Sequence, residues 1–241
     1  MAMSTPASTE TEVVSESLEA ISEQVVGCHR CARLVAWREA VALKPPARFR
    51  GQTYWARPLP GFGDPRARLL VVGLAPAAHG GNRTGRIFTG DLSGDWLFRA
   101  LYRAGFASQA TSRHLGDGLA LSDCYIAAVV RCVPPQNKPL PAERDACLPY
   151  LAREITALEN LQVIVALGAF AWEGSLRALR LLGHPILSPK PSFAHGAVAP
   201  VASYRLVGSY HPSQRNTQTG TLGEQALDAV FERARSLLSG S

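Results

Sequence analysis

No run of apolar residues in this chain approaches the ~18 that a membrane-crossing helix needs, so no membrane span is expected. The opening residues MAMSTPASTETEVV have neither a basic n-region nor an apolar core. No export signal is therefore expected, and residues 1–15 are expected to form a disordered tail. Cysteine is sparse, with five in 241 residues, which without an export signal argues against a disulfide framework. No segment repeats, so a solenoid is excluded. The common nucleotide fingerprints are missing too. The stretch GLAPAAHGG fits neither G-x-G-x-x-G nor G-x-x-x-x-G-K-S/T. Acidic residues are the minority charge, 19 against 25 lysines and arginines, and the resulting +6 points to a polyanionic partner without requiring one.

What is present is an alternation of strand and helix patterns. Four apolar runs read as buried strands: Leu69–Val72, Cys124–Val130, Val163–Leu167 and Tyr204–Ser209. Helix patterns separate them. One follows Ser93 as its N-cap, one starts near Pro141 with a bend or break at Pro149, and one spans residues 169–183. A last helix follows a Thr221–Glu224 capping box, and a short amphipathic helix covers Glu16–Val26. Apolar strands alternating with helices predict an α/β fold, a three-layer α/β/α sandwich on a central four-stranded parallel sheet. The length suits a single domain over residues 16–241.

In such a sheet the ligand lies at the carboxyl ends of the strands. Three polar loops leave those ends: Gly73–Asp91, Arg131–Pro141 and Tyr210–Gly220. They carry His79, Asn82, Asp91, Asn137, His211 and Asn216, and that convergence marks the candidate site. The segment Lys44–Arg68 interleaves arginines with Phe49, Tyr54, Trp55 and Phe62, which suits a grip on nucleic acid or a loop pinned by its aromatics. Cys28 and Cys31 form a C-x2-C pair that reads as a metal clip, a redox pair or chance. With Cys132 and Cys147, which have fourteen residues between them, they make a set of four thiols for a [4Fe–4S] cluster or a structural zinc. Cys124, inside a strand, reads as an inert core thiol.

The loop GLAPAAHGGNRTGR (residues 73–86), the four cysteines and His211-Pro212-Ser213-Gln214-Arg215-Asn216 together resemble the uracil-DNA glycosylase superfamily. The match is to family 5, the B-type iron–sulfur enzymes, over residues 28–238. The resemblance implies a four-stranded α/β/α fold, a [4Fe–4S] cluster on Cys28, Cys31, Cys132 and Cys147, and excision of uracil from DNA to leave an abasic site. The related family 4 enzymes have an acidic residue where this chain has Leu74 and an asparagine where it has Ala128. The family 5 pattern instead implies Asp91 as the catalytic carboxylate, with Asn137 as a further polar contributor. A pocket without the reading asparagine is expected to accept other damaged bases, such as hypoxanthine, ethenocytosine and hydroxymethyluracil.

Residue by residue, the resemblance implies that Phe88 stacks on the flipped base and His211 donates a hydrogen bond to a base carbonyl. Gly73, Ala75, His79 and Asn82 are implied to bind the substrate, His79 alternatively holding the loop, while Gln214, Arg215 and Asn216 enter the minor groove as a wedge. Arg83 and Arg86 are read as phosphate contacts or local salt bridges. The implied partner is DNA containing uracil or other deaminated bases, met by a monomer in the cytoplasm at the nucleoid. A relative that cross-links to DNA through a histidine carries a basic inserted loop that this sequence lacks. A non-enzymatic iron–sulfur module that binds nucleic acid is the alternative of a different class.

Overall fold

A computed structural model describes residues 16–240. The expected tail of residues 1–15 lies outside them. Helix α1 (Leu18–Val26) buries Leu18, Ile21 and Val25, the face its spacing predicts. Helix α2 (Ala32–Leu43) follows directly and had no clear sequence signature, because its apolar and polar residues are mixed around the axis.

The sheet carries six strands rather than four. They are β1 (Phe62–Gly63), β2 (Leu69–Gly73), β3 (Cys124–Ala128), β4 (Val163–Leu167), β5 (Val198–Val201) and β6 (Tyr204–Ser209), in the order β1-β3-β2-β4-β6-β5. The four expected strands form the parallel centre, with Val71 beside Ile126 and Val165, and Val165 beside Val207. The two added strands lie antiparallel at the edges, β1 on β3 and β5 on β6, so the sheet is mixed. Sequence gave no notice of them because β1 is two residues long and β5 alternates in burial and contains Pro200.

Side chains along the central strands alternate between two cores. Leu70, Val72, Ile164 and Ala166 face α1, α5 (Pro141–Ala157) and α6 (Ala169–Leu181). Leu69, Val71, Val163 and Val165 face α4 (Leu92–Arg103) and α8 (Glu224–Ser239). This is the expected three-layer sandwich. Helix α5 passes through Pro149 without a break. The proline forfeits one hydrogen bond, but Leu148, Tyr150, Leu151 and Ile155 are buried around it, and packing decides the outcome. The Thr221–Glu224 box does not form. Gly223 is the N-cap of α8, and Thr221 hydrogen-bonds the Thr219 hydroxyl at 2.9 Å.

The topology also fixes where a ligand fits. The chain leaves β2 toward α4 on one face and leaves the adjacent β4 toward α6 on the other. A crevice opens at such a switch point, outside the carboxyl ends of β2 and β4.

Candidate active site

A cleft of about 940 Å³ occupies that crevice. Leu74, Ala75 and Asp91 enter it from the loop after β2, Asn137 from the loop after β3, and His211 from the loop after β6. The three loops singled out by sequence therefore meet. Arg48, Arg83, Arg113 and Arg215 also line the cleft, against Asp91 and Asp95 as its only acids among the described residues.

Asp91 is the N-cap of α4, two residues before Ser93, the residue that sequence suggested. Its extended backbone lets Oδ1 accept the Gly94 N–H at 3.0 Å, and Ser93 lies inside the helix. Desolvation by burial raises the carboxyl above its ordinary value of 3.8, while the Gly94 and Ser93 N–H groups oppose the rise. The other oxygen, Oδ2, rests against Gly80: a β-carbon on Gly80 would overlap it. Glycine at position 80 is thus the space the carboxylate occupies.

Phe88 is buried in the core beside α4, with a positive φ of 52° that few aromatic residues adopt. Its ring needs the missing side chain of Gly73, where a β-carbon would meet Phe88 Cζ at 2.7 Å. The ring centroid lies 5.9 Å from that of His211. His211 lies two residues past the end of β6, and its Nδ1 is buried without a hydrogen-bond partner. Desolvation pushes the imidazole down to about 4, so it is neutral at physiological pH.

The remaining candidates separate into cleft and support. His79 lines the cleft and pairs through Nδ1 with the Tyr54 hydroxyl at 3.0 Å. Burial, with Arg48 and Arg83 nearby, pushes it below its ordinary value. Asn137 is exposed at the cleft with φ 56°. Gln214 and Arg215 line it from the first turn of α7 (Gln214–Gln218). Asn216 turns inward, donating to the His211 carbonyl at 2.9 Å. Asn82 does not reach the cleft. It is fully buried and donates to the Arg38 carbonyl at 3.1 Å.

The two arginines of the loop also divide. Arg86 is buried and forms an ion pair with Asp117 at 2.7 Å, with Ser112 and Thr89 completing the network. Burial alone would raise Asp117, but Arg86 and the Arg113 and Leu119 N–H groups hold it far below the usual carboxylate range. That network carries Arg113 to the cleft, a placement no sequence pattern announced. Arg83 donates to the His79 and Gly90 carbonyls at 2.7 and 3.1 Å and covers the Phe49 ring at 4.2 Å, while still lining the cleft. Phe49 lay in the aromatic–arginine segment, so its signal was present but shared with Trp55 and Phe62.

The four candidate cysteines, from the α1–α2 turn, the end of β3 and helix α5, wall a second, small cavity. Arg38 donates to Cys132 Sγ and the Arg131 N–H to Cys147 Sγ, each at 3.3 Å. Four sulfurs with N–H donors and guanidinium groups beside them suit an anionic thiolate assembly. Among the described residues, no three His, Cys, Asp or Glu side chains gather tightly around one point as a single ion would ask. Cys124 is fully buried in β3, and burial raises its thiol far above the ordinary range, so it is inert.

A model of the Uracil DNA glycosylase superfamily matches residues 60–235, which span the cleft loops and the whole sheet. The chain belongs to the uracil-DNA glycosylase superfamily. Its relatives within that superfamily are of two types, Type-5 enzymes at 43–50% identity and Type-4 enzymes at 29–34%. The Type-5 uracil-DNA glycosylase of Mycobacterium bovis is 50% identical over 212 residues, 87% of this chain and 78% of that protein. The Type-5 enzyme of Mycobacterium leprae is 48% identical over 223 residues, 92% and 96% of the two chains. That of Thermus thermophilus is 48% identical over 222 residues, 91% and 97%. The family 5 resemblance of the loop, cysteine and HPS motifs agrees with them. No helix of the described residues is long and apolar enough to cross a membrane.

Proposed function

We propose that this chain excises uracil from DNA by hydrolysing the N-glycosidic bond, with Asp91 and His211 as its catalytic pair. The observation that carries this reading is their meeting in one cleft at the switch point of the sheet, under four arginines. Flipping brings the base out of the stack and into the cleft, beside the Phe88 ring. The bond between sugar C1′ and the base nitrogen breaks, and its electron pair leaves with the base. A neutral His211 donates a hydrogen bond to the base carbonyl as negative charge grows there. The Asp91 carboxylate stabilises the cationic sugar and takes the proton of the attacking water, whose oxygen bonds to C1′. Asn137 supplies a further polar contact.

Arg48, Arg83, Arg113 and Arg215 hold the phosphates, with Gln214 and Arg215 on the minor-groove side. Asn216, bonded to the His211 carbonyl, positions the histidine rather than the DNA. Ala128, where the family 4 enzymes have the reading asparagine, carries no polar group, which supports acceptance of hypoxanthine, ethenocytosine and hydroxymethyluracil alongside uracil. Cys28, Cys31, Cys132 and Cys147 would hold a [4Fe–4S] cluster, which supplies a four-point covalent tie and an electron-transfer centre. The enzyme acts as a monomer in the cytoplasm, at the nucleoid.

The test is incubation with a uracil-containing oligonucleotide, followed by alkali. Strand cleavage at the uracil is expected. Binding without cleavage would favour the non-enzymatic module. A panel of lesion oligonucleotides ranks the other bases, and broad absorbance near ~400 nm distinguishes a cluster from zinc. A second prediction arises at Gly80. Gly80→Ala drives a methyl group into the Asp91 carboxylate. Single-turnover base release is expected to fall at least ~10-fold, as misplacing a reacting group does, with the far-ultraviolet spectrum unchanged. An unchanged rate would mean that Asp91 tolerates displacement.

A further inference from the structure

Two arginines of this fold are almost wholly buried, Arg38 and Arg131, each 1% exposed. A buried guanidinium needs a counter-charge, because the cost of taking it out of water is several kcal/mol. Arg131 has one. It donates through both terminal nitrogens to Glu154, itself 1% exposed. Arg38 does not have an equivalent. The carboxylate nearest to it, Glu39, is 3.8 Å away and half-exposed on the same helix. Its donors instead reach the Cys28 carbonyl at 3.4 Å, His29 Nδ1 at 3.4 Å and Cys132 Sγ at 3.3 Å, and its Nε has no partner.

We propose that Arg38 is the buried counter-charge of the group bound by the four cysteines, a positioning residue that holds the cluster and sets its reduction potential. The inference rests on the cluster reading given above. A neutral thiol is a poor partner for a guanidinium, whereas a thiolate bonded to iron is a charged acceptor. The Arg38 N–H···S contact therefore gains strength when the cluster binds. Positive charge beside a cluster favours its more reduced, more negative state and raises the potential. The Arg38 carbonyl meanwhile accepts from Asn82 in the loop that ends at Asp91, so this one residue touches both Cys132 and the catalytic loop.

The test compares the full chain with Arg38→Met and Arg38→Lys by iron content, absorbance and voltammetry. Arg38→Met is expected to shift the midpoint negative by a tenfold change in the oxidised-to-reduced ratio, ~59 mV for one electron. Arg38→Lys, which keeps the charge, is expected to stay near the wild-type midpoint. Loss of iron in Arg38→Met with retention in Arg38→Lys supports the same role. An unchanged midpoint in iron-loaded Arg38→Met overturns it, and so does equal loss of iron in both variants, which would mark a packing role only. A wild-type chain carrying zinc and no iron overturns the cluster reading itself, an outcome distinct from the others.

Discussion

Asp91→Asn is expected to slow base release by about 10²- to 10⁴-fold, the usual range for a positioned acid–base group. Binding to a uracil-containing duplex is expected to stay within a few-fold of wild type, because asparagine neither fills the cleft nor removes an arginine. Equal losses in binding and in single-turnover rate would remove Asp91 from catalysis. The same substitution carries a second signature. Burial raises this carboxyl above 3.8, so the folded state favours its protonated form. The penalty of ionising it is absent below about 3.8 and grows as pH rises through the folded value. Asparagine keeps the N-cap bond to Gly94 and removes that penalty. The melting temperature at neutral pH is therefore expected to rise while activity is lost. Melting curves at pH 7 check it, and a marked fall would show that the ionised carboxylate contributes net stability.

His211→Ala is expected to slow uracil release by about 10²- to 10³-fold, the cost of removing one donor aimed at a developing oxyanion. Single-turnover assays at saturating enzyme measure it, and an unchanged rate would exclude the histidine as electrophile. The pH dependence of stability gives an independent reading. Burial takes His211 from 6.5 down to about 4, so over that interval the unfolded chain binds a proton that the folded chain refuses. This contribution to stability is complete above pH 6.5 and is lost as pH falls toward 4. In His211→Ala the melting temperature should fall less steeply across that window. Identical slopes would mean that the imidazole titrates alike in both states.

Much of this was legible along the chain. The four central strands are apolar throughout because both faces of a covered parallel sheet are buried, and that pattern survives in one dimension. Loops following such strands must meet at one end of the sheet, which groups His79, Asn82, Asp91, Asn137, His211 and Asn216, and the family resemblance singles out Asp91, Asn137 and His211 among them. The edge strands were not legible, since a two-residue strand has no periodicity and Pro200 argues against one. Helix α2 hid because its buried side is made by Leu34, Arg38 and Val41, and an arginine reads as a polar face.

The sequence by itself determined the layer order, the strand-end loops and the cysteine set, because each follows from local apolar patterning or residue type. Only the tertiary structure decided what individual polar residues do. Asn82 looks like a substrate contact in the chain, but it faces inward, where its buried donor finds the Arg38 carbonyl, and of the two readings open for Arg86 the local salt bridge holds, with Asp117. Arg113 comes from a segment with no motif and stands at the cleft because folding carries it there. Asp91 acquires its raised affinity for a proton, and His211 its lowered one, from desolvation. Burial of that kind is a property of the packed molecule, and no spacing of residues encodes it.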